Sequence, residues 1–444
     1  MIGASAAEVV LAHGVSSRED LPIPFSYALV GSVVALIASF VALGVLWREP
    51  RLDAATAGWE VPAGVQRVLD GWAVRGGLAL LGVLGLAYVG LAAYGGPDNV
   101  LNPAPGVVYV LLWVGVPILS LLLGPLWRLV NPVRGLHWAL TRLVGTRPED
   151  GLAPYPHWLG SWPAAWGLLV FVWLELVAPN NTSLGLLRWV IAVYVVTNLL
   201  AGMYFGSDWF ARGDAFEGYS TLMGRLSILG RRGDGQLVLR SPLAGVAGTP
   251  AAAGLFAVIG VLLGSTLYDS MSSSPWWNNQ VLATPLPTDV TETLGLLGMV
   301  VLITAAFVVA ALSSDRGLPP GRLVGEFSHS LIPIVAGYVV AHYWSLLVLI
   351  GQQTITLLSD PLVTGDANWL GTRNLPINEA LADPEFVAVL QVGVIVLGHV
   401  LGVVLAHDRA LRLLPRRRAI RGQVPMLILM VGYTVGGLSV LFAA

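Results

Sequence analysis

The chain has 444 residues, of which 55% are hydrophobic and 11% charged, with a mean hydropathy of +0.74 and a net charge of −2. A soluble domain carries roughly 25% charged residues, so most of this chain belongs in lipid, and the absence of a basic surplus argues against nucleic acid as a partner. Cysteine is absent, which removes disulfides, thiolate nucleophiles and thiolate metal ligands together. Lysine is absent too, so all 24 basic residues are arginine.

Segments of about 20 apolar residues mark spanning helices. Ten are predicted: 24–47, 73–94, 106–127, 161–178, 185–205, 250–268, 291–312, 330–356, 386–407 and 424–442. The fold class that follows is all-α, a polytopic integral membrane helix bundle of about ten transmembrane helices plus one or two interfacial amphipathic helices. Arginines set the orientation. They cluster after the first helix (Arg48, Arg51, Arg67, Arg75), the third (Arg128, Arg134, Arg142, Arg147), the fifth (Arg212 to Arg240), the seventh (Arg316, Arg322) and the ninth (Arg409 to Arg421). The intervening loops hold only Arg188 and Arg373. This alternation predicts an even helix count, both termini extracytoplasmic, and residence in the plasma membrane with the lipid bilayer as surroundings.

Residues 1–23 form an extracytoplasmic N-terminal segment. Within it Val10-Leu11-Ala12 before His13 reads like a cleavage site, but a charged n-region is missing and Glu8 interrupts the apolar run. A retained terminus and a start placed too late both stay open. No long linker or clear repeat breaks 24–444, which reads as a single multi-pass membrane domain. Two cytoplasmic stretches look amphipathic. Residues 207–232 repeat Trp209, Phe216, Tyr219, Met223 and Leu226 at helical spacing and suit a helix lying in the interface; 129–144 is a weaker case. The outer loops 269–290 and 359–385, with Trp276, Trp277 and Trp369, read as a vestibule or lid.

Ionisable side chains inside spanning helices are expensive and point to function. The eighth and ninth helices carry four of the seven histidines: His329, His342, His399 and His407. Tyr338, His342, Ser345, Gln352 and Thr356 fall on one helical face, and Gln391, His399 and His407 are eight apart. At ~1.5 Å per residue, depth counting predicts an inner layer of His329, His407 and Asp408, and a buried layer of His342, His399 and Gln391. His342 and His399 are the expected catalytic pair. His329, His342, His399, His407 and Asp408 are the expected ligands of a transition metal ion such as zinc or copper. Tyr338, Ser345, Gln352, Gln391, Asp269 and Glu175 are expected to line a pore or pocket. A plainer reading competes, in which each histidine makes an interhelical hydrogen bond contributing about 1 kcal/mol.

The chain also resembles the polytopic membrane protein family commonly labelled fenitrothion hydrolase. The resemblance rests on Ala12-His13-Gly14 with Asp20-Leu21-Pro22-Ile23-Pro24, on Asn131-Pro132, on Gly213-Asp214-Ala215-Phe216 and on Tyr268-Asp269 with Trp276-Trp277. It continues through Phe327-Ser328-His329-Ser330-Leu331, Ala341-His342-Tyr343, Gly398-His399 and Ala406-His407-Asp408-Arg409. It implies a multi-pass hydrolase of apolar, organophosphate-type esters and transfers no catalytic residues. The alternative expectation is a histidine-based transporter coupled to a transition metal or to protons. The partner is accordingly an apolar small molecule or a metal ion.

Overall fold

The computed structural model describes residues 17–315 and 317–443; the stretch ending at Val10-Leu11-Ala12, His13 and Arg316 lie outside the described residues. Ten helices carry the fold: α1 (Phe25–Leu46), α2 (Trp72–Gly95), α3 (Pro103–Leu123), α4 (Trp162–Leu176), α5 (Leu184–Phe205), α6 (Leu255–Ser272), α7 (Thr288–Leu312), α8 (Ile332–Leu357), α9 (Pro384–Leu413) and α10 (Val424–Leu441). Among the described residues, nine helices are long and apolar enough to cross a bilayer. The exception in this set is α4, whose 15 residues reach only about 22 Å. Within α3 the nine residues Val107–Gly115 are π-helical, a geometry usually confined to single turns.

Enclosure sorts the helices into layers. About three quarters of the most apolar stretch is buried in α6 (78%) and in α8 with its lead-in helix (72%), against 17% in α1, α2 and α5. The outer helices turn Val30, Val34, Leu81, Leu84, Val193 and Leu200 outward, as lipid-facing surfaces do. α6 and α8 are therefore the axis of the bundle.

Small residues set how closely α8 and α9 approach. A Cβ on Gly337 would lie 2.6 Å from the Val394 carbonyl oxygen, one on Gly398 2.5 Å from that of Pro333, and one on Gly402 2.8 Å from that of Ser330. Backbone meets backbone at three levels, which fixes an antiparallel register.

The arginine-bearing loops gather at one end of the bundle. There β1 (Trp59–Glu60), β2 (Leu229–Arg231) and β3 (Leu237–Leu239) pair antiparallel in the order β1-β3-β2, closed over by the Arg231–Asp70 and Arg232–Glu60 ion pairs. This small sheet was not expected. Residues 207–232, expected as one flat interfacial helix, are instead two helices, Asp208–Arg212 and Ala215–Gly224, followed by a turn and β2. Asp214 caps the second by accepting from the Phe216 and Glu217 amides. Phe216, Tyr219, Leu222 and Met223 are buried, so the helix enters the bundle rather than lying on it. The reason is polar: Asn131 donates to Asp214 (2.8 Å), Tyr194 donates to it as well (2.9 Å), and Arg134 grips Glu217 (2.6 Å). These contacts dock Ala215–Gly224 against the amphipathic helix Pro132–Val144, which does present Trp138 and Leu140 outward as expected.

Two outcomes are expected from this packing. Gly398→Val should lower stability by about 1–3 kcal/mol through overpacking, whereas Gly393→Ala, with nothing within 4 Å of its Cβ, should be nearly neutral; thermal unfolding in detergent checks both, and equal effects would refute the register. The second concerns His137, buried against Phe210 at 5.4 Å. Burial first, and Arg134 second, hold its imidazole below the ordinary value. A histidine lowered on folding binds protons better when unfolded, so stability falls as pH drops through the unfolded value of about 6.5. The melting temperature should fall between about pH 8 and about pH 5, and by less in His137→Phe; an unchanged difference in the variant would exclude His137 as the source.

Candidate functional site

The axial helices bring together a polar cluster inside the apolar bundle. His342 of α8 meets Asp269 of α6 through Nε2 (2.7 Å to Oδ2) and Ser270 through Nδ1 (3.0 Å to Oγ). All three residues are at most 6% exposed. With Nε2–H donating to the carboxylate, Nδ1 is left as an acceptor facing the Ser270 hydroxyl, whose other neighbour is the Thr266 carbonyl at 3.2 Å. The order is carboxylate, imidazole, hydroxyl. A neutral imidazole between a carboxylate and a hydroxyl can pass a proton either way.

Aromatic rings and a second carboxyl close around this chain. The Tyr343 ring stands edge-on to His342 at 4.6 Å between centroids. Glu175 of α4 brings a second carboxyl within electrostatic reach of Asp269, and its Oε2 is buried without a hydrogen-bond partner. Tyr109, Tyr219 and Tyr343 all lie within electrostatic reach of Glu175. Tyr109 and Trp113 come from the π-helical stretch of α3, and Tyr219 from the buried helix Ala215–Gly224. Trp113 packs on Phe171 (4.9 Å) and Tyr219 (5.1 Å), sealing this side with aromatic rings.

The expected buried pair does not share a site. Gln391 donates to the Ala341 carbonyl (3.1 Å), and Gly398 faces Pro333, so the register sets His399 about nine residues, or ~13 Å, from the level of His342. His399 instead donates Nδ1–H to the Ile395 carbonyl (2.8 Å) and lies against the Tyr338 ring (5.8 Å). Tyr338 in turn donates to the Tyr433 carbonyl (2.7 Å). The polar stripe on α8 is divided among neighbours. Tyr338 serves α10 and His342 serves α6. Gln352 exchanges hydrogen bonds with Asn378 and so pins the 359–385 loop, while Ser345 is simply buried.

The inner layer is a structural joint. His407 reaches two acceptors, the Trp47 carbonyl from Nε2 (3.0 Å) and the Gln423 side-chain oxygen from Nδ1 (2.9 Å), and a neutral ring donates to one of them. Asp408 accepts from Trp47 Nε1 (3.2 Å), the Arg51 and Leu52 amides (2.6 and 3.2 Å) and Arg412 Nε (3.1 Å). His329 donates to the Glu326 carbonyl (2.8 Å), and Glu326 pairs with Arg409 (2.7 Å).

These partners also test the expected metal ligands. His342, His407 and Asp408 spend their ligating atoms on hydrogen bonds, and only His329 and His399 keep a buried, unpartnered Nε2. Among the described residues no three His, Cys, Asp or Glu side chains converge as a metal site. The five-residue set does not fit a metal centre.

Ser270 and Tyr343 were missed from the sequence as site residues. Asp269-Ser270 is a polar pair at adjacent positions of an apolar helix, which was the available signal.

Fold and site together define a multi-pass membrane protein with a carboxylate–imidazole–hydroxyl chain buried between its two axial helices. No protein-family model, curated protein or solved structure matches the chain.

The joint at Asp408 makes a direct prediction. Asp408→Ala strands the Trp47 indole and two backbone amides, and should cost about 3 kcal/mol. Thermal unfolding in detergent measures it; a change near zero would mean that α1 is held elsewhere.

Proposed function

We propose that the protein is a proton-coupled membrane transporter whose proton-handling group is the Asp269–His342–Ser270 chain. The observation that carries this reading is the 2.7 Å carboxylate–imidazole contact buried on the most enclosed helices, with Glu175 beside it. Two carboxyls and an imidazole in an apolar interior have too few charges of opposite sign to stay fully ionised, so the cluster's proton content is coupled to its surroundings. Coupling an alternating-access cycle to protons needs a protonatable group between helices that can part. Here α6 and α8 would be those helices.

Purified protein should give an infrared carboxyl signal that titrates and is removed by Asp269→Asn or Glu175→Gln. Vesicles loaded with a pH dye should take up protons under an imposed gradient, and Asp269→Asn and His342→Gln should lose most of that flux. Equal flux in wild type and both variants would sink the proposal.

A second reading is favoured by the Ser270 hydroxyl on the far ring nitrogen, because carboxylate, imidazole and hydroxyl in that order activate a serine nucleophile. Together with the resemblance to proteins labelled fenitrothion hydrolase, it gives an esterase of apolar phosphotriesters entering from lipid. Ser270 would attack phosphorus, its proton passing through His342 Nδ1 to the departing aryloxide, and water deprotonated by His342 would then cleave the Ser270–phosphorus ester, releasing the dialkyl phosphate and returning the proton to Ser270. Labelling of Ser270 by a fluorophosphonate, lost in His342→Gln, separates this reading from the transporter.

A further inference from the structure

Several arginines at the sheet end of the bundle have an acid: Arg231 and Arg75 hold Asp70, Arg232 holds Glu60, Arg134 holds Glu217 and Arg409 holds Glu326. Among those that do not, three are linked to one another. Arg128, in the short helix Leu126–Val130, Arg225, at the end of Ala215–Gly224, and Arg240, after β3, have no carboxylate within 4.0 Å among the described residues, yet Arg225 is within electrostatic reach of both others. Cations within electrostatic reach of one another repel unless an anion sits between them.

Arg240 is the buried member, 7% exposed. Its Nη1 donates to the Arg231 carbonyl (3.3 Å), but Nε is buried with no partner. Leaving a guanidinium donor dry is costly, so the slot that holds it needs a reason. That slot is built from glycines. A Cβ on Gly230 would lie 2.3 Å from Arg240 Cζ and Nε, and one on Gly245 2.9 Å from Nε. Any side chain at either position would expel the guanidinium. Arg225 is only partly covered and Arg128 is exposed, so the group opens outward.

We infer that Arg240, Arg225 and Arg128 form a binding site for a phosphate-class anion. Guanidinium forks match phosphate oxygens two at a time, and three of them suit an acceptor with more than one charge and several oxygens. Two sources share that chemistry: free phosphate and the phosphate of a lipid headgroup. Leu122, Leu123 and Leu129, all exposed next to Arg128, place the mouth beside apolar surface where headgroups lie.

The test uses the full-length protein in detergent. Inorganic phosphate is titrated calorimetrically against chloride at matched ionic strength, and native mass spectrometry compares phosphatidylglycerol with phosphatidylcholine retained from mixed vesicles. Wild type should bind phosphate saturably or retain phosphatidylglycerol selectively. Arg225→Gln and Arg240→Gln should weaken the effect about tenfold or more, and Arg232→Gln, paired elsewhere, should not. Phosphate binding alone identifies a soluble ligand; selective phosphatidylglycerol retention identifies the headgroup. Either supports the site. Should Arg240→Gln fail to fold, Arg225→Gln at the open mouth decides. Absence of both effects in wild type, or their persistence in Arg225→Gln, would overturn the inference. Neither result depends on the proton-coupled reading above.

Discussion

Inside lipid there is no water to satisfy a polar group, so each one must find its partner within the bundle. That constraint explains why the interior is organised as it is. His407 and Asp408 answer the end of α1, Tyr338 answers a carbonyl of α10, and Gln391 answers a carbonyl of α8. Each contact ties two helices together and leaves little chemistry over. The Asp269–His342–Ser270 chain is different in kind, because its partners are titratable or reactive on both sides, and because Glu175 stands beside it with a buried oxygen unpartnered. The functional reading follows from that contrast between groups that close a joint and groups whose partners are themselves titratable.

The helices were legible because hydrophobic length is dictated by the bilayer and needs no knowledge of neighbours. All ten predicted segments became helices, within a few residues of their expected ends, and the arginine-bearing loops do collect at one end. What failed was the connector 207–232. Its apolar spacing suited an interfacial helix, but a surface helix and a helix buried by a cap look alike in one dimension. Gly213-Asp214 breaks it, and the Asp214 and Glu217 contacts to Asn131, Tyr194 and Arg134 pull its second half inward. Those partners lie about twenty to eighty residues away and leave no periodic trace.

The site was half legible. His342, Asp269 and Glu175 were each singled out by the cost of an ionisable group in an apolar helix, but they were assigned to separate roles. Depth counting paired His342 with His399 by assuming that the helices start level, and an error of a few residues there moves a ring by a turn. The glycine contacts at Gly337, Gly398 and Gly402 set the true register. Periodicity along α8 likewise says which side chains share a face, but not that the face is split among α6, α10 and the 359–385 loop.

The joint at Trp47 has a consequence for the order of assembly. The first spanning helix is fastened through groups about 360 positions further along the chain, His407 and Asp408. Synthesis runs from the first helix toward the last. α1 therefore reaches the bilayer with its indole and the amides beyond it unanswered, and waits there while the helices from α2 to α9 are made. Until α9 arrives, it is an inserted but unmoored element, held by lipid alone. Contacts of such sequence separation are slow to form, so the capture of α1 is a late step of maturation.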